Sequence, residues 1–159
     1  RTLAASVVNG VGQFCTCPGL VLAVKGPGFE ALREGLREAL QTSPAAQMLG
    51  ERLRQGYLTA MRQRQAQGPH PAFAAEGPTG QVKPILLETS ATALAADPLL
   101  AEEVFGPCTL LVACASEAER SAALAALPGQ LTATLWMAPE DEPLAAALLP
   151  EIEKALAEI

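Results

Sequence analysis

The chain has 159 residues, 50% of them apolar, enough for one real core and too few for two domains of ordinary size. Eleven Lys and Arg against seventeen Asp and Glu leave a net charge of −6, and the cations are spread thinly except between Arg52 and Arg64, so no nucleic-acid partner is expected. No apolar run approaches the roughly 18 residues of a membrane span, so no membrane partner is expected; four cysteines without the density of a disulfide-stapled domain fit reduced thiols in a cytoplasmic setting.

In chain order, Thr2 to Gly12 is small and mixed and predicts a helix that ends around Gly10 and Gly12. "GLVLAVKG" (19–26), an unbroken apolar run bounded by glycines, predicts a strand covered on both faces. Pro27 opens a helix with Phe29, Leu32, Leu36 and Leu40 on one face, and Met48, Leu49, Leu53, Tyr57 and Met61 mark a second, both at helical spacing. "QGPHPAFAAEGPTGQ" (67–81) is rich in Pro and Gly and predicts an irregular surface connection. "KPILLET" (83–89) and "CTLLVACA" (108–115) predict strands, and Ser116 with Glu119 has the spacing of a capping box opening a helix to Leu127. "QLTATLWM" (130–137) predicts a further strand, and Leu144, Leu148, Ile152 and Leu156 a closing amphipathic helix. Apolar strands alternating with helices imply an α/β fold, an open and mostly parallel sheet with helices on both faces.

The chemistry gathers in "NGVGQFCTCPG" (9–19), where Cys15 and Cys17 stand one residue apart. A zinc site needs about four ligands, and this loop has two, with a single histidine, His70, elsewhere in the chain, so no metal is expected. A redox pair is usually Cys-x-x-Cys; the closer Cys-x-Cys pair would close a strained ring. A nucleophile gains from a turn, whose backbone N–H groups favour a thiolate and can later hold an oxyanion, and Gly10 and Gly12 allow close approach of a ligand. Spacing alone favours a structural cysteine over all three.

"GVGQFCTCPGLVLA" resembles the catalytic-cysteine motif of the aldehyde dehydrogenase superfamily, Gly-Gln-x-Cys, in the form found in the branch that oxidises 2-ketoglutarate semialdehyde (2,5-dioxopentanoate). "EEVFGP" (102–107) is similar to that family's second signature, and "KPILLET", "DPLLAEEVFGPCTLLVACAS" and "GQLTATLW" extend the likeness along nearly the whole chain. The resemblance implies that residues 1–159 are part of an aldehyde dehydrogenase catalytic domain, truncated at both ends, with the NAD(P)-binding domain and the C-terminal end outside this chain. It implies NAD(P)-dependent oxidation of a small-molecule aldehyde to the acid by a homo-oligomeric parent protein. Cys15 is then the nucleophile that forms the thiohemiacetal and thioester, Glu103 holds the hydroxyls of the nicotinamide ribose, and Phe105 packs near the nicotinamide. The cofactor is NAD or NADP.

The family's general-base glutamate and oxyanion asparagine fall upstream of Arg1, so the 159 residues alone are expected not to turn over aldehyde. Cys17 reads as a packing neighbour, Cys108 and Cys114 as buried strand residues, Phe14 as core or pocket wall, and Arg52, Arg54, Arg62 and Arg64 as a solvated helix face. Two other readings stand beside the dehydrogenase: a thiol redox module using Cys15 and Cys17, and a catalytically silent α/β binding module in which "EEVFGP" merely packs.

Overall fold

A computed structural model describes residues 2–67 and 75–157; His70 and much of the Gly/Pro connection lie outside the described residues. The elements are α1 (Thr2–Val8), β1 (Leu20–Val24), α2 (Phe29–Thr42), α3 (Glu51–Gln67), β2 (Ile85–Ser90), α4 (Ala91–Ala96), β3 (Cys108–Cys114), α5 (Glu117–Ala125) and α6 (Glu142–Ala157).

Among the described residues the sheet has three strands, all parallel, in the order β1-β3-β2. Central β3 is apolar at every position but Thr109, and all but one of its residues are buried, as expected of a strand with neighbours on both edges and layers on both faces. Its register runs from Leu20 opposite Leu110 to Val24 opposite Cys114 on one side, and from Ile85 opposite Cys108 to Ser90 opposite Ala113 on the other. Alternation along the strands then sorts the helices. Leu86 packs against a small cluster of Ala4, Val7, Leu36 and Leu40 from α1 and α2, while Leu87 joins the larger core with Leu110, Val112, Tyr57, Leu94 and Leu127. Each buried leucine contributes about 1.5–3 kcal/mol by leaving water.

Local chemistry sets the helix ends. Ser116 caps α5, its hydroxyl accepting from Glu119 N–H at 3.2 Å, and the Glu119 carboxylate turns back to Ala115 N–H and Thr92. Ser90 caps α4 in the same way. The second long helix begins at Glu51 rather than at Met48, because Leu49 N–H is taken by the side chain of Gln13 at 2.9 Å and Leu49 is left 85% exposed.

Two further expectations are corrected. β1 is half-buried along its whole length rather than covered on both faces, since its outer edge pairs with no described strand. Residues 130–137 form no strand: Gln130 N–H bonds Ala155 O on α6 at 2.9 Å, and Leu131, Trp136 and Met137 that follow are exposed. The apolar pattern is that of a strand, but a strand exists only where a neighbouring backbone completes its ladder, and no sheet edge among the described residues does.

Candidate active site

The two sequence signatures enter the sheet side by side, "NGVGQFCTCPG" just before β1 and "EEVFGP" just before β3. The site therefore sits at the amino ends of the strands, opposite the crevice where open α/β sheets usually bind ligands.

The approach to Cys15 is a left-handed turn. Gly10, Val11 and Gly12 have φ of 54°, 60° and 65°, a conformation that costs a β-branched residue about 1–3 kcal/mol. Surrounding contacts hold it. Gln13 donates from its side chain to Gly10 O at 2.9 Å and accepts from Leu49 N–H, while Val11 packs on the larger core. The bend throws Cys15 outward: it is exposed, on the turn closed by Cys17 N–H to Phe14 O at 3.0 Å. Cys15 N–H has no intramolecular acceptor among the described residues, so one donor stands free beside the thiol.

Direct backbone contact joins the two signatures. A Cβ on Gly12 would lie 2.2 Å from Gly106 O and 2.5 Å from Pro107 N, and a Cβ on Gly106 would lie 2.2 Å from Cδ2 of Tyr57. Gly12, Gly106 and the Tyr57 ring thus form a stack with no space for a side chain between its layers. The ring cannot swing away easily, since Tyr57 is 1% exposed and its hydroxyl donates to Lys83 O at 2.9 Å.

Beside this stack opens a cleft of about 1340 Å³. Cys15, Cys17, Arg64 and Glu103 are among the residues that line it, with β1, the start of α2, the extended 131–137 segment and parts of α5 and α6. Glu103 is exposed, and its carboxylate makes no hydrogen bond or ion pair among the described residues, so it is free to accept from hydroxyl groups of a ligand. Phe105, two residues on, is 37% exposed and lies outside the cleft wall, next to Gly106. Phe14 is in neither predicted place, being 49% exposed with its ring over Gly10.

The remaining thiols differ from Cys15. Burial raises the Cys17 thiol and the nearby Glu103 carboxylate raises it further, and its S–H points to Val7 O at 3.7 Å. Cys108 is pushed up to about 12, chiefly by burial, and Cys114 is raised by the same cause. No disulfide joins any of the four. Among the described residues no three His, Cys, Asp or Glu side chains gather to hold a metal, and no helix is long and apolar enough to cross a membrane.

Arg64 does not belong to a solvated helix face. Arg52 and Arg62 are exposed and Arg54 pairs with Glu51 and Glu76, but Arg64 is 6% exposed and donates to Glu102 O at 2.8 Å. It shares a face of α3 with Tyr57 and Met61, at i, i+4 and i+7, and the sequence signal that could have found it is this continuation of a buried stripe.

No protein-family model matches the chain. The chain is 40% identical over 153 residues to alpha-ketoglutaric semialdehyde dehydrogenase 2 of Azospirillum brasilense, across 94% of its own length and 29% of the relative's. It thus spans under a third of that protein. Its fold matches the gamma-glutamyl-gamma-aminobutyraldehyde dehydrogenase of Burkholderia cenocepacia with a TM-score of 0.78 at 16% identity, over 95% of this chain and 32% of that one. It matches an NAD-dependent benzaldehyde dehydrogenase from Corynebacterium glutamicum with a TM-score of 0.70 at 18% identity, over 95% and 35%.

Proposed function

We propose, for a chain that has the sequence and the fold of a segment of the aldehyde dehydrogenase superfamily, that it carries the nucleophile and one side of the nicotinamide site of an NAD(P)-dependent aldehyde dehydrogenase. Its residues form part of the catalytic domain, and the cofactor domain is supplied by sequence outside them. The observation that carries the reading is the Gly12–Gly106 contact, which fixes an exposed thiol and a free carboxylate on one cleft. A redox module needs no such partner for Cys15, and a silent module needs neither group free.

The chemistry follows from the groups. Sγ of Cys15, as thiolate, adds to the aldehyde carbon, and the C=O electron pair moves to oxygen, which the free Cys15 N–H can stabilise. The nicotinamide nucleotide, when bound, supplies the hydride acceptor. Glu103 orients it by accepting from ribose hydroxyls, and Phe105 offers an uncharged face beside it. After hydride loss the carbon is held as a thioester on Cys15, and addition of water releases the carboxylic acid and regenerates the thiol. The protruding turn keeps that bond open to water, whereas Cys17, held protonated, does not compete.

The likeness to the Azospirillum protein supports 2-ketoglutarate semialdehyde as the aldehyde. The general base and the oxyanion asparagine that the resemblance implies, with most of the nucleotide site, fall outside these residues, so the 159-residue polypeptide alone does not turn over. The parent protein acts as a homo-oligomer in the cytoplasm, where the four thiols of these residues stay reduced.

The test follows NAD(P)H formation by stopped flow in the full-length protein, with 2-ketoglutarate semialdehyde beside simple aliphatic aldehydes. Wild type should reduce the nicotinamide fastest with the semialdehyde, and Cys15→Ser should lower the rate at least about 10³-fold. Retained activity in Cys15→Ser contradicts the assignment.

A further inference from the structure

We propose that Arg64 is a positioning residue for Glu103, an inference that rests on the reading of Glu103 as a ribose ligand. Arg64 is 6% exposed, and no carboxylate lies within ion-pair distance of it among the described residues. Its Nη1 is buried without a hydrogen-bond partner, and burial pulls its pKa below the usual arginine range. Glu102 and Asp97 offset only part of that effect, and burying a guanidinium with no carboxylate in direct contact is costly, whereas an aliphatic side chain would fill the same volume without that cost. What the aliphatic chain could not do is donate to Glu102 O, as Nη2 does at 2.8 Å.

That carbonyl controls Glu103 through the peptide bond. The C=O of Glu102 and the N–H of Glu103 lie in one rigid plane, so holding the oxygen sets the direction in which the chain enters Glu103. Glu102 ends the 3₁₀ turn of Pro98–Ala101, with its own N–H bonded to Leu99 O at 3.2 Å. Beyond it, among the described residues, the one hydrogen bond on residues 103–105 is the long contact of Cys108 S–H with Val104 O at 3.9 Å, and none reaches Glu103. The other end of the signature is held at Gly106 by Tyr57, which precedes Arg64 on the same buried stripe of α3. Helix α3 thus grips "EEVFGP" at two points, Arg64 at the start and Tyr57 at the end, leaving Glu103 and Phe105 between them.

The experiment uses the full-length protein with Arg64→Met and Arg64→Lys. It measures Kd for NAD⁺ and NADP⁺ by titration, and the alkylation rate of Cys15 without nucleotide. R64M should weaken binding of the preferred nucleotide about tenfold or more, R64K should recover part of the loss, and Cys15 alkylation should stay within about twofold of wild type. Unchanged nucleotide affinity in R64M overturns the proposal, as does a fall in Cys15 reactivity matching the fall in affinity, which would mark a general structural role. Should R64M fail to fold, R64K carries the same comparison. A wild-type protein that binds neither nucleotide overturns the dehydrogenase reading and this proposal with it, and the wild-type titration distinguishes that case from a failure of Arg64 alone.

Discussion

The two sides of the cleft are built differently. On the side of Cys15 and Glu103, backbone meets backbone: Gly12 lies on Gly106, Gly106 on Tyr57, and the Gln13 side chain spans from Gly10 to Leu49. On the side of residues 131–137 a more apolar stretch runs extended with Trp136 61% exposed, anchored at its start by the Gln130 to Ala155 bond. Apolar content does not decide which side is fixed; interlocking does. The first side can hold a thiol and a carboxylate in register, and the second can only line the space beside them.

The sharpest way to break the comparison is to force apart the interlocked side. Gly12→Ala places a methyl group against Gly106 O and requires a positive φ of an L-residue; backbone on both sides of the clash has nowhere to yield. We expect a loss of about 3 kcal/mol or more by urea denaturation, and slightly less for Gly106→Ala, where the opposing atom belongs to a ring. The smallest effect belongs to the other side. Trp136→Ala should change stability by no more than about 0.5 kcal/mol in the same assay, although tryptophan is ordinarily the costliest residue to truncate. A large loss there would mean that 131–137 is interlocked as well.

What could be read from the sequence follows the same division. The three strands were legible as short apolar runs, although only β3 is buried along nearly all its length, and α2 because its leucines keep helical spacing. Residues 130–137 carried the strand pattern and are no strand, since pattern reports what a face could bury and not whether a partner edge exists. Of the site, the residue types at Cys15 and Glu103 were legible by resemblance, and the structure brings both to one cleft while leaving Phe105 at its margin. The contact of Gly12 with Gly106 was not legible, because glycines far apart in a chain give no sign of touching. Arg64 misled for a related reason: an arginine in an arginine-rich helix reads as solvated until a loop folds over it.

The most direct measurement is the alkylation rate of each cysteine by iodoacetamide at about pH 8, followed by peptide mass spectrometry. A thiol reacts only as thiolate and only where reagent can reach it. A raised pKa therefore slows Cys17 and Cys108 at this pH, and burial closes Cys108 and Cys114 to reagent. The account predicts that Cys15 is modified first, Cys17 more slowly, and Cys108 and Cys114 only on unfolding. Modification of Cys17 ahead of Cys15 would contradict it.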